Sequence, residues 1–184
     1  MRKIIYAINV SLDGCVDHTK FSAEEQIFDY LTCMMEDIGL SVYGRKMYEL
    51  MFPYWGDVAK NQSGTSWENE FAQKISDVDK IVFSRTLDKV EYNTRIVRTD
   101  PSAELLKLKQ APGKNISVDT VSMFPQLMQA GLIDEYHLII HPVIVGEGPC
   151  LWEGANLPDK LKLKLVASNT FKSGAVALHY VKGD

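Results

Sequence analysis

Three cysteines in 184 residues (Cys15, Cys33 and Cys150) are too few, too widely spaced and odd in number for a disulfide framework or a thiolate cage. They read as reduced thiols. No apolar run approaches the roughly 20 residues that a membrane-spanning helix needs. Basic charge is also scarce: 20 Lys and Arg face 24 Asp and Glu, a net charge of −4 with no polybasic segment. Neither a nucleic acid nor a membrane is therefore expected as a partner. Equally missing are Gly-x-x-x-x-Gly-Lys-Ser/Thr, Gly-x-Ser-x-Gly, and a Gly-x-Gly-x-x-Gly opening a helix, which removes support for P-loop, serine-hydrolase and Rossmann readings. His137 and His141 are four apart, but the segment around them has the composition of a strand. Four strand residues span about 13 Å, too far for two ligands of one zinc ion, so no metal centre is expected. The apolar run after Met1-Arg2-Lys3 is broken at Asn9 and has no small-residue cleavage site, so the expected location is cytoplasmic.

What is present is the balance of a globular protein, 46% hydrophobic and 24% charged. Residues 1–184 read as a single domain, able to bury roughly 70% of the surface its unfolded chain exposes. Residues 3–10 are β-branched and stop at Asp13-Gly14, a buried strand and a turn. Ser22-Ala23-Glu24-Glu25 has capping-box spacing, and Ile27, Phe28, Leu31, Met34, Met35 and Ile38 follow at helical period until Gly39. A strand at 40–43 leads into a short helix from Gly44 to Met51, which Phe52-Pro53-Tyr54-Trp55-Gly56 is expected to break, with a polar loop over 57–66. Further along come a helix at 67–75, strands at 80–84 and 94–97, and a helix from Pro101 to Gln110. A strand at 115–118, a helix at 121–130 and a long strand at 136–145 follow. Two strands, 160–171 and 175–181, close the chain across Lys172-Ser173-Gly174. Alternating strands and helices predict an α/β fold with a mixed, mainly parallel sheet, helices on both faces, and an antiparallel hairpin at its edge.

Open α/β sheets bind ligands at the carboxyl ends of their strands, and four short signals fall there. They are Ser11-Leu12-Asp13-Gly14, Gly44-Arg45-Lys46-Met47-Tyr48-Glu49, Val82-Phe83-Ser84-Arg85-Thr86, and Asp119-Thr120. Read singly, each also serves as an ordinary turn or cap. In this order, and with Ala130-Gly131-Leu132-Ile133-Asp134-Glu135-Tyr136 and His141-Pro142-Val143-Ile144-Val145-Gly146-Glu147-Gly148 behind them, they resemble the dihydrofolate reductase-like family. Within it the chain is most similar to the C-terminal reductase domain of the bifunctional riboflavin-biosynthesis deaminase–reductase and its stand-alone relatives. The resemblance runs over nearly the whole chain. It implies the family's three-layer fold and NADPH-dependent reduction of a small heterocyclic substrate, a pyrimidine or a pterin, with a homodimer as a possible assembly. Carried over by position, Gly44, Arg45 and Lys46 would approach the cofactor phosphates, and Ser84, Arg85 and Thr86 the adenosine 2′-phosphate. Asp13 would lie near nicotinamide and substrate. For a dihydrofolate reductase, Asp29 on the first long helix would be the carboxylate that holds the pterin ring.

The chain departs from the family at Asp119-Thr120, where glycines usually let the backbone approach the diphosphate. Three outcomes stay open: Asp119 caps the next helix and the cofactor binds through other contacts; the cofactor binds weakly or shifted; or the scaffold is a non-enzymatic binding or oligomeric protein. Met47 departs likewise from the threonine common in dihydrofolate reductases. Tyr54, Trp55 and Trp67 are aromatic candidates for a ring-binding wall, or for core.

Overall fold

The computed structural model describes residues 1–22, 24–157 and 159–183. Its centre is an eight-stranded sheet in the order β4-β3-β2-β5-β1-β6-β8-β7. The strands are β1 (Ile4–Ser11), β2 (Ile38–Gly44), β3 (Lys80–Phe83), β4 (Thr94–Val97), β5 (Asn115–Asp119), β6 (Glu135–His141), β7 (Leu163–Thr170) and β8 (Val176–Lys182). The first six are mutually parallel, while β8 runs antiparallel to β6 and β7 to β8. The alternating β-α order forces the parallel part, because parallel neighbours need a crossover. The hairpin needs only the turn around Gly174, whose φ of 85° is left-handed and suits glycine.

Period-two alternation sorts the strand side chains onto two faces. Ile4, Tyr6, Val42, Ile81, Ile116 and Val118 pack with Leu105 of α4 (Pro101–Gln110) and with Phe124 and Leu127 of α5 (Phe124–Gln129). On the opposite face, Ile5 packs with α1 (Glu25–Met35) and α3 (Ser66–Asp77), and Tyr43 and Val82 pack with α2 (Arg45–Asn61). The expected fold class is therefore the observed one: an α/β sheet with helices on both faces and a terminal antiparallel hairpin.

Several boundaries differ from the sequence expectation. α2 continues through Pro53 and takes in residues 57–61, the first half of the stretch read as a loop. A proline removes one helical donor, but Tyr48, Phe52 and Val58 are buried along the same helix, and that apolar stripe outweighs one lost bond. Gly56 does not break the helix; it makes room for Tyr92, whose ring would lie 2.4 Å from an added Cβ. Ser22 does not cap α1, and Ala23 lies outside the described residues. The N-cap is Glu24, with no side-chain cap bond, and its carboxylate instead accepts from the Ser173 amide at 3.2 Å. The capping box occurs at Thr65 and Glu68, at the start of α3. Ile38 and Gly39 belong to β2 rather than to the helix before it. The helix expected at 121–130 is shortened to α5 by a turn over 121–123, and β6 stops at His141 because Pro142 has no amide to continue the ladder.

Lys80 anchors α3 to the sheet. Its side chain is buried, and Nζ donates to the carbonyls of Ile75 and Ser76 at 2.9 Å each and of Val78 at 2.5 Å. The cation thus meets the negative end of the helix. Burial nevertheless pulls its pKa down to about 8.

Candidate functional site

The carboxyl ends of β1, β2, β5 and β6 open into a cavity of about 670 Å³ between the sheet and α1, α2 and α3. Its walls are mostly apolar. α1 contributes Ile27, Phe28, Leu31, Met34 and Met35, and α2 contributes Met47, Leu50, Met51 and Trp55. Phe28 is wedged against Trp55, Trp67 and Phe71, with ring centroids 5.4, 4.8 and 5.0 Å away. A wall of this kind suits a flat ring. Trp55 lines the cavity, whereas Tyr54 is 55% exposed and Trp67 stands behind Phe28.

Polar groups gather at the strand ends. Gly44, the N-cap of α2, has no side chain to satisfy the helix's free amides, and Gly44, Lys46 and Met47 all face the cavity. β2 and β5 are neighbours, with Tyr43 opposite Asp119, so Gly44 lies against Thr120. A Cβ on Gly44 would come within 2.8 Å of Thr120 Oγ1 and 3.4 Å of Ser122 Oγ. Free amides, two hydroxyls and one lysine form a cradle suited to an anion such as a diphosphate.

Asp119 closes the floor of that cradle. It does not cap a helix, contrary to one expectation; it ends β5, and Thr120 Oγ1 accepts the Met123 amide instead. The Ser117 hydroxyl donates to Asp119 Oδ2 at 2.9 Å and lies 3.0 Å from Ser41 Oγ. Burial raises the Asp119 pKa to about 6, and the Ser117 hydrogen bond offsets only part of that rise. The carboxyl therefore changes charge close to neutrality, beside the anion cradle.

Asp13 is exposed and absent from the cavity wall. Its carboxylate accepts from Ser11 Oγ at 2.6 Å and from the amides of Val145 and Gly146 at 3.1 and 2.7 Å. Those bonds hold its pKa down to about 2. It clasps the turn after β1 to the loop after β6 and has no proton to offer at neutral pH. Asp29 is exposed on α1 and also lies outside the cavity wall, so no carboxylate of α1 faces the cavity. Arg45 points outward into an exposed ion pair with Glu49 at 3.2 Å. Ser84 is buried and accepts from the Thr86 and Leu87 amides, while Arg85 and Thr86 are exposed beyond β3, outside the cavity wall. Of the residues expected at the site, the structure brings Gly44, Lys46, Asp119 and Thr120 together.

Sequence reasoning missed the opposite wall. His141 lines the cavity with its Nε2 2.9 Å from Asn9 Oδ1 and its ring stacked on Phe21 at 4.5 Å. Burial pushes its pKa below the ordinary value, so the ring is neutral at pH 7. The register of β1 with β6, which places Asn9 beside Ile139, sets this pair, and no local spacing in the sequence marks it.

A family model described as the RibD C-terminal domain matches residues 2–177. The chain belongs to that family. It is 31% identical over 183 residues to the protein YyaP of Bacillus subtilis (strain 168), covering 97% of this chain and 94% of the relative. Among solved structures it is similar to a putative riboflavin biosynthesis protein from Shewanella sp. PV-4, with a TM-score of 0.72, 16% identity and 99% of each chain covered. It also resembles a dihydrofolate reductase from Enterococcus faecalis complexed with NADP(H), with a TM-score of 0.62, 12% identity, and 99% and 97% of the two chains covered. The fold is dihydrofolate reductase-like.

Proposed function

We propose that this protein is an NADPH-dependent reductase of a small, flat heterocycle of the pyrimidine class, such as the ribosylamino-pyrimidine of riboflavin biosynthesis. The observation that carries this reading is the cavity itself, aromatic-walled on one side and bordered at the strand ends by the cradle of Gly44, Lys46, Thr120 and Ser122. A dihydronicotinamide supplies hydride. The protein contributes the cradle for the diphosphate, the apolar wall that holds the ring and excludes water, and the neutral His141–Asn9 pair as a polar contact. Arg85, exposed just past β3 and without an ion pair among the described residues, is the candidate partner for a 2′-phosphate.

A pyrimidine fits better than dihydrofolate because α1 presents only apolar side chains to the cavity, with no carboxylate to pair with a pterin. Asp119 favours a second reading, a ligand-binding protein without turnover, since a carboxylate beside a diphosphate repels it when ionised. Titration with NADPH, followed through the quenching of tryptophan fluorescence, to which the cavity-lining Trp55 contributes, separates the two. Saturable binding, followed by loss of dihydronicotinamide absorbance with a ribosylamino-pyrimidine, supports the reductase. No binding at millimolar cofactor refutes it.

A further inference from the structure

A second cluster of functional side chains sits at the other end of β6. His137 and His179 are directly opposite on the antiparallel pair β6–β8, and Glu135, two residues before His137, projects to the same face. His137 is four strand residues from the cavity-lining His141, roughly 13 Å, so this cluster is separate from the cavity. His179 Nε2 lies 3.0 Å and His137 Nε2 3.8 Å from the same oxygen, Glu135 Oε2. One ligand atom from each of the three residues falls within 4.8 Å of the others. Four ligands at about 2.0–2.1 Å around a tetrahedral zinc stand about 3.4 Å apart, and the two measured separations bracket that value.

In two of the three side chains, His137 and Glu135, the remaining polar atom is held as in a metal ligand. Tyr30 OH lies 2.6 Å from His137 Nδ1, which fixes the ring and leaves Nε2 to face the cluster. Glu135 Oε1 is held by Lys3 Nζ at 2.7 Å, so Oε2 faces the two imidazoles and makes a 3.0 Å hydrogen bond with His179 Nε2. His137 is 7% exposed, and its Nε2 has no hydrogen-bond partner. An unpaired ring nitrogen in the interior is costly unless something fills the gap. Burial also keeps the ring neutral, as a ligand must be.

We propose that Glu135, His137 and His179 bind one divalent first-row transition cation, with Zn²⁺ as the natural occupant. The donor set, two imidazoles and one carboxylate with water completing the shell, matches borderline cations rather than Mg²⁺ or Ca²⁺. The two imidazoles lie stacked, 4.1 Å and 18° apart, so binding requires the partly exposed His179 ring to tilt out of the stack. The cation would tie β8 to β6 and, through Tyr30, to α1. This inference does not depend on the reductase reading.

The test is calorimetric titration of the chelator-treated full chain with Zn²⁺ alone, repeated with Co²⁺ for its ligand-field spectrum. The expected result is one equivalent bound at micromolar Kd or tighter and a raised unfolding midpoint in Zn²⁺. Tyr30→Phe, a positioning change, should weaken binding by roughly 10-fold. His179→Ala and Glu135→Gln should each weaken it by more than the roughly 100-fold upper range for such outer contacts. Both alter partly exposed or hydrogen-bonded groups rather than the buried His137, and apo unfolding midpoints near wild type would confirm that they fold. The midpoint gain in Zn²⁺ should vanish in both. No binding, binding that survives both substitutions, or a cobalt spectrum dominated by thiolate charge transfer from the cysteines would overturn the proposal.

Discussion

Replacing Asp119 by Asn removes a charge from the floor of the cavity, and its effect on stability depends on pH with a fixed sign. The folded-state pKa is raised from 3.8 to about 6, so folding binds a proton more tightly than the unfolded chain does. Well below the ordinary value of 3.8 the carboxyl is neutral in both states, and the substitution changes little. As pH rises from 4 through 6, the unfolded chain ionises first and the native state loses stability. The full difference corresponds to roughly 3 kcal/mol, and cavity water screens part of it, so a gain of roughly 1–3 kcal/mol is expected for Asp119→Asn above pH 7. At about 2–4 °C per kcal/mol for a chain of this size, the melting midpoint should rise by about 2–12 °C. Urea unfolding of both proteins at pH 4, 6 and 8 measures this directly. A difference that is constant across the three pH values would refute the account of Asp119 as a desolvated carboxyl.

The same carboxyl should govern anion binding: the oxidised dinucleotide, stable in acid, should bind about 10-fold more tightly at pH 5 than at pH 8, and Asp119→Asn should flatten the dependence in calorimetric titrations. Gly44→Ala should weaken dinucleotide binding, because its Cβ would press on Thr120 Oγ1 at 2.8 Å, and Thr120→Gly should restore part of the loss. Asp29→Asn should leave stability within about 0.5 kcal/mol and ligand binding unchanged, whereas Phe28→Ala should cost about 3 kcal/mol and weaken binding of any flat ring. Lys80→Met should destabilise the fold by roughly 2 kcal/mol in urea, since three carbonyls at the end of α3 lose their donor.

The fold was legible wherever a segment answers mainly to its own chemistry. The β-branched runs of β1, β3 and β5, Pro101 opening α4, and the turn at Gly174 mark themselves. Misreadings arose where tertiary packing overrides a local rule, as when the apolar stripe of α2 carries the helix across Pro53. The site divides in the same way. Gly44 and Thr120 stand at strand ends and could be named from their neighbours in sequence. Asp13 and Asp29 were named for chemistry, but hydrogen bonding occupies the first and the phase of α1 turns the second outward. Asn9 with His141, and His137 with His179, meet only through strand register, and no spacing along one segment encodes that.

The clasp made by Asp13 has a consequence for how the cavity responds to acid. Its pKa of about 2 keeps the turn after β1 fastened to the loop after β6 through the whole range in which Asp119 gains its proton. Mild acidification therefore changes the electrical character of the floor while this part of the frame keeps its form. Charge and shape, which many binding sites alter together, are here under the control of two different aspartates.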